Sequence, residues 1–120
     1  MATKKEETLT GSAPEIQRKV EAALLGRIVL VRDHMAGIHV GTLESVDVSA
    51  KSCVLKNARK VWYWSGAASC HGIAASGLDQ DKSKIAPSVE LVVSTNVVEI
   101  VLCTEAGAKS VLESPVWPAI

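Results

Sequence analysis

Ile28-Val29-Leu30-Val31-Arg32-Asp33-His34-Met35-Ala36-Gly37-Ile38-His39-Val40 sets a β-branched run, a polar turn closed by glycine and a second apolar run in immediate succession. That order predicts a β-hairpin whose second strand continues from Ile38 to Val48. Working downstream, Lys51-Ser52 turns the chain into a strand over Cys53 to Lys56. Asn57-Ala58-Arg59-Lys60 reads as a polar corner, and Val61 to Trp64 as another strand, so four strands in meander order are expected. Gly66 to Ser76, rich in Ala, Ser and Gly, predicts a short helix whose small residues permit close packing. Gly77 to Ser88 carries charge, Gly and Pro and reads as a surface loop. Val89 to Val93 and Asn96 to Cys103 then supply two more strands, separated at Ser94-Thr95.

Upstream, Ser12-Ala13-Pro14-Glu15 matches a capping box, in which Ser12 and Glu15 satisfy free backbone donors and Pro14 is tolerated in the first turn. Ile16, Val20, Ala23 and Leu24 follow at helical spacing, which predicts an amphipathic helix over 13–25 stopped at Gly26. At the other end, Thr104 caps a short helix reaching about Leu112, with Glu105 near its positive end. Pro115 and Pro118 prevent further helix and leave Trp117 in an extended tail. The expected fold class is α+β: a twisted antiparallel sheet of about five to six strands, with an N-terminal amphipathic helix, a short middle helix and a short C-terminal helix. Residues 12–114 form the single domain, after a flexible arm over 1–11 and before a tail over 115–120.

Composition bounds the function. A chain of 120 residues is the size of one domain, and one core is expected. Phe is absent and the aromatics are Trp62, Tyr63, Trp64 and Trp117, so the core must be aliphatic. The 13 basic and 13 acidic side chains cancel, which disfavours duplex nucleic acid, because phosphate binding needs clustered positive charge. Cys53, Cys70 and Cys103 are odd in number and widely spaced, and no secretory segment precedes them; this fits buried thiols in a cytosolic protein. The apolar run around Val97 to Cys103 is interrupted by Glu99 and too short to span a bilayer, so no membrane segment is expected.

Little points to catalysis. Zinc sites show close ligand pairs, whereas the tight pair here, Cys70-His71, is adjacent on an expected helix and points about 100° apart. Buried Cys and surface His are the favoured reading, with no metal and no cofactor. A Cys70 nucleophile served by His34, His39 or His71 has no supporting motif, and Asp33-His34 is what a turn between strands wants anyway. Phosphate-loop, dinucleotide, hydrolase-elbow and HExxH patterns are all missing. No catalytic residue is assigned, and the chain reads as a binding protein rather than an enzyme.

The informative segment is Asn57 to Ala68, which joins two cations, three consecutive large aromatics and a small-residue turn. Strand alternation sends Trp62 and Trp64 to one face and Tyr63 to the other, so some aromatic surface must meet a partner or a pocket. Such rings stack on nucleobases for roughly 1–3 kcal/mol per base, and an Arg fork clamps phosphate. Against this stands the reading of the Trp pair as core or subunit-contact anchors and of Arg59-Lys60 as a solvated corner.

The hairpin Arg32 to Leu43, the stretch Leu55 to Ala67 with Asn57-Ala58-Arg59 and Trp62-Tyr63-Trp64-Ser65-Gly66-Ala67, and Val97 to Glu105 resemble the ordered motifs of the phage Thoeris anti-defence sponges. The resemblance covers roughly 27–112 and omits the N-terminal helix and the tail. It implies a phage protein that sequesters cyclic ADP-ribose isomers made by bacterial TIR-domain enzymes, in some members also cyclic oligonucleotides at a separate site. It further implies a homo-oligomer, a dimer or trimer of dimers, with the ligand recessed between subunits in the cytoplasm of the infected host. A sponge with affinity near nanomolar, about −12 kcal/mol, needs a preorganised pocket and no general acid. On this reading Arg59 contacts pyrophosphate or phosphate, Lys60 belongs to the ligand set beside it, Trp62 or Trp64 forms a base-stacking wall, and Asn57 and Asn96 bond ribose or base edges. Lys109, the sole cation of the C-terminal helix, completes the expected ligand set; a single Lys where a denser basic set would hold phosphates leaves the ligand type open. The alternative is a phage inhibitor or assembly factor that docks a protein on its aromatic strand.

Overall fold

The computed structural model describes residues 10–118, so most of the arm expected over 1–11 lies outside the described residues. The chain forms α1 (Ala13–Leu24), β1 (Ile28–Asp33), β2 (Gly37–Asp47), β3 (Ser52–Tyr63), α2 (Cys70–Ser76), β4 (Lys84–Ile85), β5 (Val89–Ser94), β6 (Val97–Leu102) and α3 (Glu105–Leu112). The fold is α+β: an antiparallel sheet in the order β4-β3-β2-β1-β6, with β5 joined to β3, and helices at the N-terminus, middle and C-terminus.

The capping box forms as the sequence demands: Ser12 Oγ accepts from Glu15 N at 3.3 Å, and Ser12 N donates to Glu15 Oε1 at 3.1 Å. The β1–β2 hairpin pairs Ile28 with Thr42 through to Asp33 with Gly37. Gly37 holds a φ of 83°, a left-handed conformation that a side chain would strain.

One expected corner is absent. Asn57-Ala58-Arg59-Lys60 lies inside β3, which runs unbroken through both of the expected strands. The register on β2 steps from Val40–Arg59 to Thr42–Lys56, so Asn57 and Ala58 together oppose Gly41. Asn57 absorbs the extra residue with a φ of 51°, the left-handed state that Asn tolerates at a bulge. Gly41 is required opposite it, because a Cβ there would stand 2.8 Å from Ala58 Cβ and 2.9 Å from its Cα.

Bulges bend and twist a sheet, and here they coil it until its two margins meet at one corner without closing. Only Thr95 and Asn96 link β5, on the β3 side, to β6, on the β1 side. Asp33, at the end of β1, fastens that corner. Its carboxylate accepts from Met35 N and Ala36 N at 3.0 Å, from Ser94 Oγ, and from Asn96 N at 3.2 Å.

Instead of the single core expected, buried clusters lie on both faces of the sheet. Leu30, Val40, Val61 and Ile85 pack under Ile73 and Ala74 of α2 and Ala108 and Val111 of α3. Val29, Val31, Leu43, Cys53, Leu55 and Ala58 pack on the other face with Val92, Val97 and Ile100. Coverage on both faces explains why Val29, Leu30 and Val31 are consecutive and all fully buried. As expected without Phe, the buried members of these clusters are aliphatic apart from the thiols of Cys53 and Cys103, and Trp64 packs half-buried against the first. The helices α2 and α3 touch backbone to backbone at Gly107, where a Cβ would stand 2.1 Å from Ala74 O. Among the described residues no helix is long and apolar enough to cross a membrane.

Candidate functional site: an aromatic surface flanked by lysines

At the end of β3 the period-2 alternation of a strand turns Val61 into the core and leaves Trp62 in solvent. Trp62 is 62% exposed and Tyr63 54%. The tail folds back to meet them: Trp117 N donates to Ile85 O at 2.9 Å, and Val116 bridges Ile85 in parallel. This brings the Trp117 ring within 6.1 Å of Trp62, centroid to centroid, at a tilt of 56°. Trp117 is itself 39% exposed.

Two lysines flank the rings. Lys60, two residues before Trp62 and on the same face of the strand, sets Nζ 5.5 Å from the Trp62 centroid. Lys84, paired with Tyr63 across the sheet, sets Nζ 5.7 Å from the Tyr63 centroid and 4.7 Å from that of Trp117. Cations at these distances are attracted to ring faces yet keep hydrogen-bonding capacity for an anion. Half-buried His39, which pairs with Lys60, has a pKa lowered by burial and then by that lysine.

Of the residues singled out in the sequence, Lys60 and Trp62 are brought together here. Trp64 is not: the strand ends at Tyr63, so alternation no longer sends Trp64 to the face of Trp62. It packs half-buried against the helix-covered core and donates from Nε1 to Ala67 O at 3.1 Å. Asn57 is exposed at the bulge, where its backbone conformation is what the fold uses. Asn96 occupies the β5–β6 corner, its N–H on Asp33 and its carbonyl accepting from His34 N at 2.9 Å. Lys109 is exposed in the last turn of α3.

Arg59 requires the plainest correction. Far from a solvated corner, it is 4% exposed and spends its guanidinium on backbone carbonyls. Nε donates to Ala86 O at 2.7 Å; Nη1 reaches Val111, Leu112 and Ser114 oxygens; Nη2 reaches Ile85 O at 3.2 Å and Pro115 O at 3.4 Å. Burial lowers its pKa from the ordinary arginine value. With its donors taken, it is not available to clamp a phosphate.

Sequence reasoning missed Trp117 and Lys84 as partners of this surface. The only signal for the first was the scarcity of aromatics combined with two prolines that hold Trp117 out of a helix. Also missed was a groove of about 600 Å³ lined by Arg32, Ile38, Trp64, Ser69, Cys70, His71 and Glu99. Across it Glu99 accepts from Arg32 Nη1 at 2.9 Å and meets His71 Nε2 at 2.8 Å. Those bonds, His71 first, hold the Glu99 carboxyl below its usual range. Cys70, beside His71, has its thiol pKa raised by burial, which disfavours the thiolate a nucleophile needs. Among the described residues no group of three His, Cys, Asp or Glu side chains could hold a metal ion.

The fold and this surface define a small α+β domain with exposed aromatic rings flanked by lysines at the end of a coiled sheet. The chain belongs to the family described as a domain of unknown function (DUF6948), which matches residues 26–111. No curated protein matches the chain.

Proposed function

We propose that this protein binds and sequesters a cyclic nucleotide signal without cleaving it, on the surface formed by Trp62, Tyr63, Trp117, Lys60 and Lys84. The observation that carries the reading is the combination of three exposed rings with two ammonium groups 4.7–5.7 Å from their centroids. Ring faces stack on nucleobases at ~1–3 kcal/mol per base whatever the base, and lysines supply point charges for phosphates. The resemblance to the Thoeris anti-defence sponges supports a cyclic ADP-ribose isomer as ligand, with cyclic oligonucleotides as a further class. It also supports action in the cytoplasm of an infected bacterium. The raised thiol pKa of Cys70 disfavours that residue as a nucleophile.

Self-association belongs to the same proposal, as a dimer or trimer of dimers. β5 pairs with β3 along one edge and turns Val89, Leu91 and Val93 outward, 46–60% exposed. Its six residues contain no Lys, Pro or bulge of the kind that blunts an edge strand, and exposed Glu90 is their one charge. These features also favour a second reading, in which the aromatic strand docks a protein partner; exposed Trp and Tyr are frequent anchors of protein interfaces.

A thermal-shift panel of cyclic ADP-ribose isomers and cyclic di- and trinucleotides separates the two. A ligand at about 100 times its Kd stabilises the fold by about 2.7 kcal/mol, a rise of several degrees in Tm. The binding reading expects such a shift, its loss in Trp62→Ala, and recovery of intact ligand on heating. A flat response across the panel would move the weight to a protein partner.

A further inference from the structure

The aromatic surface is assembled from two distant parts of the chain, and Arg59 is the side chain that touches both. It rises from β3 three residues before Trp62 and gathers carbonyls from three segments. Ile85 and Ala86 belong to β4 and the residue after it, Val111 and Leu112 to the end of α3, Ser114 and Pro115 to the tail. No carboxylate pairs with it among the described residues. Its charge is met by oriented carbonyl dipoles instead, including those at the negative end of α3. An ion pair would fix one partner; a planar fork of five N–H donors fixes several segments at once.

We propose that Arg59 is the positioning residue of the aromatic surface, fastening residues 114–116 to β4 and to the end of α3 and thereby setting Trp117 beside Trp62 and within reach of Lys84. The functional meaning of this assignment rests on reading that surface as the ligand site, whereas the attachment of the tail does not. Other bonds hold Ser114 to α3, since its N donates to Val111 O at 3.2 Å and its Oγ to Ser110 O at 2.8 Å. Beyond Ser114, the attachments among the described residues are the Arg59–Pro115 bond, the parallel Val116–Ile85 bridge, of which the Trp117 N–H on Ile85 O is part, and the contacts of the Trp117 ring with Trp62 and Lys84. Arg59 Nη2 donates to the same Ile85 carbonyl at 3.2 Å. Lysine at this position would keep the charge but lose the planar fork, and so could not serve three segments together.

The test uses the full chain labelled with 5-fluorotryptophan and read by fluorine NMR, the three resonances assigned by single Trp→Phe substitutions. In Arg59→Lys the Trp117 and Trp62 signals should move toward the free amino acid value while Trp64, packed in the core, stays put. Cyclic ADP-ribose serves as the binding probe. Its Kd should rise about tenfold in Arg59→Lys, equivalent to ~1.4 kcal/mol, and adding Arg59→Lys to Trp117→Ala should weaken binding no further. A Trp117 signal that stays in place in Arg59→Lys overturns the proposal. Release of the tail with unchanged probe affinity upholds Arg59 as the anchor and overturns the ligand reading of the surface. Should the variant fail to fold, the unmodified chain decides: Arg59 Nη1 and Nη2 should give separate, slowly exchanging signals at low temperature, and one averaged signal overturns the anchor.

Discussion

Replacing Asp33 by Asn keeps the shape of the side chain that joins the sheet margins and removes its charge. Asp33 is 8% exposed and its carboxyl is pulled down to about 2 from an ordinary 3.8, chiefly by the Ser94 hydroxyl. The backbone N–H groups of Ala36, Met35 and Asn96 assist, against the opposing effect of burial. The gap is 3.8 − 2, and at ~1.4 kcal/mol per pKa unit the ionised carboxylate contributes about 2 kcal/mol to stability at neutral pH. Because the folded pKa lies below the unfolded one, this contribution is fully present above the unfolded value and is lost as pH falls through the folded value. The window therefore runs from about pH 5 to below 2, with about half gone at pH 3. Urea unfolding of wild type and Asp33→Asn at pH 7, 5, 4 and 3 measures it. At pH 7 the variant should be less stable by about 2 kcal/mol, with an unchanged m value. The difference should narrow to about 1 kcal/mol at pH 3, because the wild type loses what the variant never had. A difference that stays constant from pH 7 to pH 3 would refute the reasoning, for it would mean that the lost acceptor oxygen, and not the charge, sets the cost of the substitution.

Gly107→Ala should be costly: alanine gains ~1 kcal/mol of helical propensity, but its Cβ meets backbone oxygen of Ala74, so a net loss of about 2 kcal/mol or more is expected by thermal or urea unfolding. At the bulge, Asn57→Gly should be near neutral, whereas Asn57→Val should lose about 1–2 kcal/mol of stability, because a β-branched residue resists the left-handed state that Asn57 adopts. Cys53 and Cys103, whose thiols burial pushes up to about 11, should resist Ellman's reagent at pH 8 in the native protein and react on unfolding in urea. Equally fast reaction of all three thiols in the native state would contradict that burial. Trp62→Ala should weaken nucleotide binding about tenfold while leaving the urea midpoint within error, as expected for a ring that is 62% exposed.

What local patterns encode was legible in the sequence. The capping box at Ser12 and Glu15, the hairpin around Asp33 to Gly37 and the Thr104 cap depend on residues close in sequence, and each formed where its chemistry required. The pairing of Lys60 with Trp62 was not read, because Lys60 was assigned to a corner before the strand; i and i+2 share a face here only because β3 runs through both. What failed depended on distance. Four polar or small residues, Asn57 to Lys60, read as a corner because nothing local announces that Gly41, on the neighbouring strand, makes room for a bulge. The Ser94-Thr95 step read only as a separation between two strands, yet these strands, linked by Thr95 and Asn96, lie at opposite margins of a sheet that coils enough to bring them together. The lock on that arrangement is a bond from Ser94 to Asp33, residues far apart in sequence.

Arg59 marks the same boundary at the site. Its sequence neighbours argue for solvent, and a surface arginine beside lysine and tryptophan is a reasonable phosphate contact. Its environment is made instead by carbonyls 26 to 56 positions away, presented where β4, the end of α3 and the tail converge. Burying an unpaired guanidinium would be prohibitive, so the chain must fold those three segments around it before the side chain can leave water. The burial of Arg59 and the docking of Trp117 are therefore one event. The aromatic surface, read at first as a property of three consecutive residues, depends on the closing of the tail over the domain.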